Sequence, residues 1–154
     1  SASTIKLAIP ETRLGYPDRD TERTILATRP AETRLMELRP VMSADELITC
    51  QQRVLDVRID EALVEYILSI AEATRRCEDL AVGLSPRGTQ ALLRAAQASA
   101  LLDGREFVVP DDVKDLAANV CAHRLVPKAF SHDGSAAGGE AIFLQLLETV
   151  AVPH

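Results

Sequence analysis

The segment SPRGTQALLRAAQASALL, residues 85–102, decides the fold, because it predicts a helix that is apolar on nearly every side. Ser85 is a favourable N-cap, since its hydroxyl can accept a hydrogen bond from an amide of the first turn. Pro86 suits the first helical position, where its fixed φ is already helical and no N–H is needed. Apolar residues then recur at Ala91, Leu92, Leu93, Ala95, Ala96, Ala98, Leu101 and Leu102. A helix without a wide polar face belongs at the centre of a domain.

Arg87 follows this cap directly and lies on the first turn of the predicted helix. A cation at the positive end of a helix is electrostatically disfavoured unless an anion lies nearby. The position therefore makes Arg87 a candidate ligand for a phosphate group. The alternative is an ordinary surface arginine on a well-capped helix.

Length and composition predict an all-α fold. The chain has 154 residues, of which 47% are apolar and 3% aromatic, and it contains no tryptophan. This mixture favours closely packed helices over a β-sandwich. We expect a small helical bundle with at most one short pair of extended segments. Residues 1–17 are interpreted as a leading linker, native or added, and residues 18–154 as one helical domain.

Charge and cysteine content exclude several classes of protein. The net charge of −6 and the pI near 5.1 oppose a nucleic-acid interface, which requires clustered lysine and arginine. Cys50, Cys77 and Cys121 lie far apart and form no paired motif, so free thiols and a cytoplasmic location are expected. No apolar run is long enough for membrane insertion.

Caps and apolar spacing predict the remaining helices. Acids at the start predict a helix over residues 18–28 with Ile25 and Leu26 inward, and a capping box predicts another over 43–54 with Leu47 and Ile48 facing the core. Asp60 caps a helix to about Arg76, whose stripe is Leu63, Val64, Ile67, Ile70, Ala71 and Thr74. Pro110 opens a helix carrying Val113, Leu116, Ala117, Val120, Cys121 and Arg124, and a last one carries Ile142, Phe143, Leu146, Leu147 and Val150.

The connections between these helices carry their own signals. Residues 77–84 and 131–139 are predicted loops, and residues 57–59 and 107–109 are predicted extended segments. Gly104 is expected to end the central helix in a left-handed conformation. The acidic pairs Glu78-Asp79 and Asp111-Asp112 are interpreted as solvated loop and cap charges.

Two other groups of residues could suggest a site, but neither has the geometry that its chemistry requires. Cys121, His123 and His132 could suggest a metal site, but residues 121 and 123 point to different faces of a helix, and no metal is expected. His132 and Asp133 with Ser131 or Ser135 could suggest a hydrolase, but they crowd one glycine-rich loop without a rigid scaffold.

Four landmarks occur in order along the chain: Gly15-Tyr16-Pro17-Asp18-Arg19, Gly83-Leu84-Ser85-Pro86-Arg87, Leu102-Asp103-Gly104-Arg105 with Val109-Pro110-Asp111-Asp112-Val113, and His123-Arg124-Leu125. Their order and spacing resemble the C-terminal lid of MoxR-type AAA+ ATPases. The resemblance covers about residues 14–154. Each motif alone is weak, because related lids share similar helix starts, whereas the ordered set is fairly specific.

The resemblance implies a helical lid that folds over nucleotide bound to a separate α/β domain. Arg87 matches the sensor 2 arginine of the family, and Tyr16 and Pro17 match a linker that lies beside the adenine. The parent would bind and hydrolyse ATP with Mg and assemble as a ring, expected to be a hexamer. It would have a chaperone-like role in cofactor insertion or complex maturation, acting on an unidentified protein client. Its partners would be the chain's own AAA+ core domain and neighbouring ring subunits.

The sequence also lacks motifs that ATP hydrolysis requires. It contains no Gly-x-x-x-x-Gly-Lys-Ser/Thr loop and no apolar strand ending in Asp-Glu. The Asp-Arg-Phe strand that commonly precedes the Gly-Tyr-Pro-Asp segment in the family is not found ahead of Gly15. We therefore expect this chain to be inactive alone. The alternative function is a free-standing helical adaptor without a nucleotide role.

Overall fold

The computed structural model describes residues 16–28, 38–128 and 138–153. Within these ranges the chain forms six helices and one short two-stranded antiparallel sheet, which confirms the all-α prediction. The helices are α1 (Arg19–Thr28), α2 (Ala44–Asp56), α3 (Glu61–Arg76), α4 (Pro86–Leu102), α5 (Pro110–Cys121) and α6 (Gly139–Thr149). The strands are β1 (Leu80–Val82) and β2 (Val126–Pro127), and a 3₁₀ turn spans Ala122–Arg124.

The predicted caps are present. The Ser43 hydroxyl accepts from the Glu46 N–H at 3.2 Å, and the Glu46 carboxylate accepts from the Ser43 N–H at 2.7 Å. Asp60 accepts from the Ala62 N–H at the start of α3. Gly104 has a φ of 75°, so the end of α4 turns through the left-handed region as expected. Local sequence signals therefore determine where these helices begin and end.

Helix α4 is central, as its sequence predicts. It packs against α2, α3 and α5, while α6 packs against α3 and α5. The largest fully buried side chains come from four of these elements and one loop: Ile67, Ile70, Leu84, Leu92, Val113 and Phe143. The α3 stripe is buried except for the half-buried Val64. On α5, Val120 is half-buried, and Arg124 is exposed in the following 3₁₀ turn.

The prediction that the apolar faces of α1 and α2 point into the core is wrong. Ile25 and Leu26 are 45% and 78% exposed, and Leu47 and Ile48 are 48% and 50% exposed. None of the thirteen residues of α2 is fully buried. Apolar spacing shows that a helix has an apolar face, but it does not show that another element covers that face.

Two loop predictions change in detail. The predicted loop 77–84 contains β1, where Leu80 pairs with Pro127 and Val82 with Val126. The predicted extended segments meet in a parallel bridge between Arg58 and Phe107. Much of the other predicted loop lies outside the described residues, as do Ser131, His132, Asp133, Ser135 and residues 1–15 of the predicted linker.

Asp112 is not a solvated cap charge. Its side chain is buried and accepts hydrogen bonds from both terminal nitrogens of Arg105, at 2.6 and 2.7 Å. The other three acids of the two predicted pairs, Glu78, Asp79 and Asp111, are exposed as expected. Arg105, on the loop after α4, supplies a partner that the α5 sequence alone does not reveal.

Candidate functional site

Arg87 projects from the first turn of α4 and is exposed. Among the residues that the structure describes, its guanidinium has no hydrogen-bond or ion-pair partner. Several other arginines are engaged: Arg75 and Arg124 donate to main-chain carbonyls, and Arg76 and Arg105 form ion pairs. The planar donor fork of Arg87 is therefore free to bind an anion from outside this part of the chain.

The start of α4 adds its own electrostatic preference. Ser85 accepts from the Gly88 N–H at 3.2 Å, and Pro86 has no N–H, so the cap satisfies part of the first turn. The N–H of Arg87 has no partner within the described ranges. An unpaired amide and a free guanidinium on one residue, at the positive end of a seventeen-residue helix, favour a negatively charged ligand.

The residue before the cap is fixed by α3. The Leu84 N–H donates to the Thr74 hydroxyl at 2.9 Å, and the Leu84 carbonyl accepts from Arg75 Nε at 2.8 Å. The Thr74 hydroxyl donates in turn to the Ala71 carbonyl at 2.7 Å. The Leu84 side chain is buried in the core. Because the main chain is held at both polar groups, the direction in which α4 begins is set by the last turn of α3.

Two glycines allow this close approach. A Cβ on Gly83 would lie 2.7 Å from the Arg75 Cα, closer than real side chains come. A Cβ on Gly88 would lie 2.5 Å from Leu84 Cδ1 and 3.3 Å from Arg124 Cδ. The chain at Gly83 therefore lies directly on the backbone of α3, and the first turn of α4 lies against the Arg124 side chain.

Arginines from three elements surround this helix start. Arg75 comes from the end of α3, Arg87 from the start of α4 and Arg124 from the turn after α5. Arg124 donates to the Val120 carbonyl at 2.5 Å and contacts the ring of His123. A positive charge is disfavoured at a helix N-terminus, and an anion bound there would offset it.

Tyr16 and Pro17 are not brought to this site. Both are exposed ahead of α1, and no hydrogen bond joins either of them to α4 in the described part of the chain. Their predicted place beside an adenine stays a prediction.

The residues that could suggest a metal site differ in burial. Cys121 is buried, and burial raises the pKa of its thiol to about 12, whereas His123 is exposed. No group of three or more His, Cys, Asp or Glu side chains suited to a metal occurs within the described ranges. His132 lies outside them.

Sequence reasoning missed Thr74, Arg75 and Gly83 as determinants of this site. The sequence indicates Thr74 only as a member of the α3 stripe. A hydroxyl within an otherwise apolar stripe is the one signal that could have shown a buried hydrogen bond, because buried polar groups are almost always paired. The partner, ten residues further along, cannot be read from spacing.

Comparisons with known proteins show a family. Residues 72–142 match the model of the AAA lid domain family. An uncharacterised protein of Bacillus subtilis, YeaC, is 38% identical over 143 residues, which cover 92% of this chain and 44% of that protein. Chaperone MoxR1 of Mycobacterium tuberculosis is 31% identical over 156 residues, covering 92% of this chain and 39% of that protein.

A shorter match and a solved structure agree with these. Protein MoxR of Paracoccus denitrificans is 40% identical over 77 residues, covering 42% of this chain and 23% of that protein. A crystal structure from Cytophaga hutchinsonii, named as a presumed ATPase, superposes with a TM-score of 0.73 at 21% identity, over 92% of this chain and 45% of that one. This likeness shows the fold. The chain spans less than half the length of the relatives it matches.

Proposed function

Because this chain carries an AAA lid domain of the MoxR type, we propose that it folds over nucleotide bound to an α/β domain of its parent and supplies the sensor 2 arginine, Arg87. The observation that carries the proposal is the free guanidinium of Arg87 on a helix start whose preceding residue, Leu84, is held by two hydrogen bonds to α3. A surface arginine with no such role would gain nothing from this placement.

The residues at the start of α4 fit a phosphate group. The guanidinium of Arg87 offers two parallel donors to phosphate oxygens, and its N–H offers a third at the positive end of the helix. Bound ATP would supply the phosphoryl group that is cleaved, together with its Mg. Within the described ranges no acidic cluster is suited to hold that Mg, so the magnesium ligands belong to the α/β domain in this proposal.

The partners follow from the same proposal. The lid would contact its own AAA+ core domain and neighbouring subunits of a ring, so that nucleotide state sets the angle of the lid. The parent would remodel a protein client, in keeping with the chaperone name of one relative. Cytoplasmic location belongs to the same proposal. Separately, no helix in the described part of the chain is long and apolar enough to cross a membrane.

The test is steady-state ATP hydrolysis by the full-length parent carrying Arg87→Ala. Loss of a charge-assisted donor that acts on developing phosphate charge should lower turnover about 100-fold to 1000-fold. Arg87→Lys should restore only part of the rate, since an ammonium lacks the planar fork. Arg53→Ala, which removes an exposed arginine from the end of α2, is the matched control and should hydrolyse ATP at the wild-type rate.

Turnover by Arg87→Ala at the wild-type rate would contradict the proposal. The alternative function, a helical adaptor without a nucleotide role, would then be favoured, because it requires no phosphate contact at Arg87.

A further inference from the structure

Arg75 is tied to the site by a single polar contact. Its Nε donates to the Leu84 carbonyl at 2.8 Å, across nine positions of sequence. The residue itself is exposed, and no ion pair engages its guanidinium within the described ranges. Its neighbour Arg76 instead forms an exposed ion pair with Glu72 along α3. Two adjacent arginines in one helix turn therefore do different things.

The contact between Arg75 and the Leu84 carbonyl affects the orientation of the peptide before α4 more than the stability of the fold. The Leu84 N–H is held separately by the buried Thr74 hydroxyl, and the Leu84 side chain is packed in the core. Loss of the Arg75 contact would leave both of these in place. It would leave the Leu84 carbonyl without its donor. The peptide between Leu84 and Ser85, from which α4 starts, could then rotate.

The contact also keeps an acceptor away from Arg87. Cα–Cβ bonds in a helix tilt toward the helix N-terminus, so the Arg87 side chain leaves the backbone in the direction of the segment that contains Leu84. A carbonyl already bonded to a cationic donor is a poorer acceptor for a second cation, because the two positive charges repel each other. Arg75 therefore helps to leave Arg87 unpaired.

We propose that Arg75 is a positioning residue that aims Arg87 through the Leu84 carbonyl, an inference that rests on the function proposed above. Arg75 would not touch nucleotide itself. It would couple the last turn of α3 to the direction of the sensor 2 guanidinium.

The test compares ATP hydrolysis by the full-length parent with Arg75→Met, Arg87→Ala and the double variant. Arg75→Met keeps an unbranched side chain that reaches about as far as Nε and removes the donor. Misplacement of a group by about 1 Å can cost up to about 100-fold in rate, so we expect kcat to fall about tenfold to 100-fold with little change in KM. The double variant should be no slower than Arg87→Ala alone, because Arg75 acts only through Arg87.

Two further variants separate positioning from stability. Arg76→Met, the matched control one residue away, should leave kcat unchanged. Arg75→Lys should recover much of the rate, since its ammonium can still donate to the Leu84 carbonyl. If Arg75→Met does not fold, Arg75→Lys answers the same question, because its smaller loss of kcat must also disappear in the Arg87→Ala background.

The outcomes distinguish this inference from the proposed function. If Arg87→Ala lowers kcat but Arg75→Met does not, or if the two losses multiply in the double variant, positioning by Arg75 is wrong and the sensor role stands. If Arg87→Ala hydrolyses ATP at the wild-type rate, both are wrong.

Discussion

At the scale of single residues, the carboxylate of Asp112 joins the end of α4 to the start of α5. Both of its oxygens accept from Arg105, and one also accepts from the Val109 N–H at 2.9 Å. Arg105 further donates to the Phe107 carbonyl and to Asp103. Burial alone would raise the pKa of Asp112, but the hydrogen bonds and charge of Arg105 and the Val109 N–H outweigh it and hold that pKa below its usual value.

This geometry predicts a pH-dependent contribution to stability. The pKa of Asp112 is lower in the folded than in the unfolded chain, so the stabilisation is present above the unfolded value of about 4. It is lost as the pH falls through the lower folded pKa. Asp112→Asn should therefore destabilise the chain by about 1–3 kcal/mol at pH 7, because Arg105 loses a charged acceptor. The difference from wild type should shrink below about pH 4.

Urea denaturation of both proteins at pH 7 and pH 3 is the measurement. Asp111→Asn is the matched control, because Asp111 occupies the same helix turn but is exposed. It should cost less than about 1 kcal/mol, the range of a charge near a helix end. Equal midpoints for Asp112→Asn and wild type at pH 7 would show that the pair contributes nothing.

Asp111 and Asp112 also show what sequence reveals at this scale. Both fit a first helical turn, and that local rule correctly predicts where α5 begins. Which of the two is buried depends on Arg105, whose position is fixed only when the α4–α5 loop folds. Gln97 is a similar case: its buried side chain donates to the Val57 carbonyl, forty positions away, which offsets the cost of burying a polar group. Partners at such separations leave no spacing pattern.

At the scale of elements, one face of α4 lies at the centre of the core and packs against the neighbouring helices. Leu92, Ala96 and Ala100 are fully buried, whereas Leu93 is half-buried. The small alanines let neighbouring helices approach closely. The sequence predicts a helix that is apolar all round and central, but the structure separates one fully buried stripe from flanks that retain some exposure.

That difference predicts unequal costs for two adjacent leucines. Leu92→Ala should cost about 2–5 kcal/mol, because it removes a fully buried side chain and leaves a cavity. Leu93→Ala should cost clearly less, since part of its side chain already contacts solvent. Chemical denaturation of both variants measures the difference in the free energy of unfolding. Equal losses, or a larger loss at Leu93, would contradict the assigned core face.

Helices α1 and α2 mark the limit of prediction for elements. Their boundaries follow from Asp18, which accepts from the Thr21 N–H, and from the Ser43 capping box. Caps act within a few residues and are therefore readable from sequence. Burial requires a covering partner, and the apolar side chains of Leu26 and Ile48 remain exposed among the residues described.

At the scale of the whole molecule, the proposed function makes the candidate site one half of a nucleotide site, with the other half on a separate α/β domain. The described residues bring a free guanidinium and a helix N-terminus to one place, and the sequence contains no phosphate-binding loop to complement them. The relatives are more than twice as long as the matched region. The sequence motifs correctly predict that Arg87 lies in the first turn of α4. The direction of that helix start, and therefore of the Arg87 side chain, depends on contacts of Thr74, Arg75 and Gly83 that the motifs do not reveal.

This division predicts how the chain behaves without the rest of its parent. Because Arg87 is exposed in this chain, its ion pair with a phosphate would form in water and contribute only about 1 kcal/mol. A millimolar dissociation constant already requires about 4 kcal/mol, and association has its own entropic cost. Calorimetric titration of this chain with ATP and Mg should therefore show no saturable binding below millimolar nucleotide, and Arg87→Ala should give the same flat titration. Saturable micromolar binding that disappears in Arg87→Ala would instead show that this chain holds a complete nucleotide site, and the need for a separate α/β domain would be wrong.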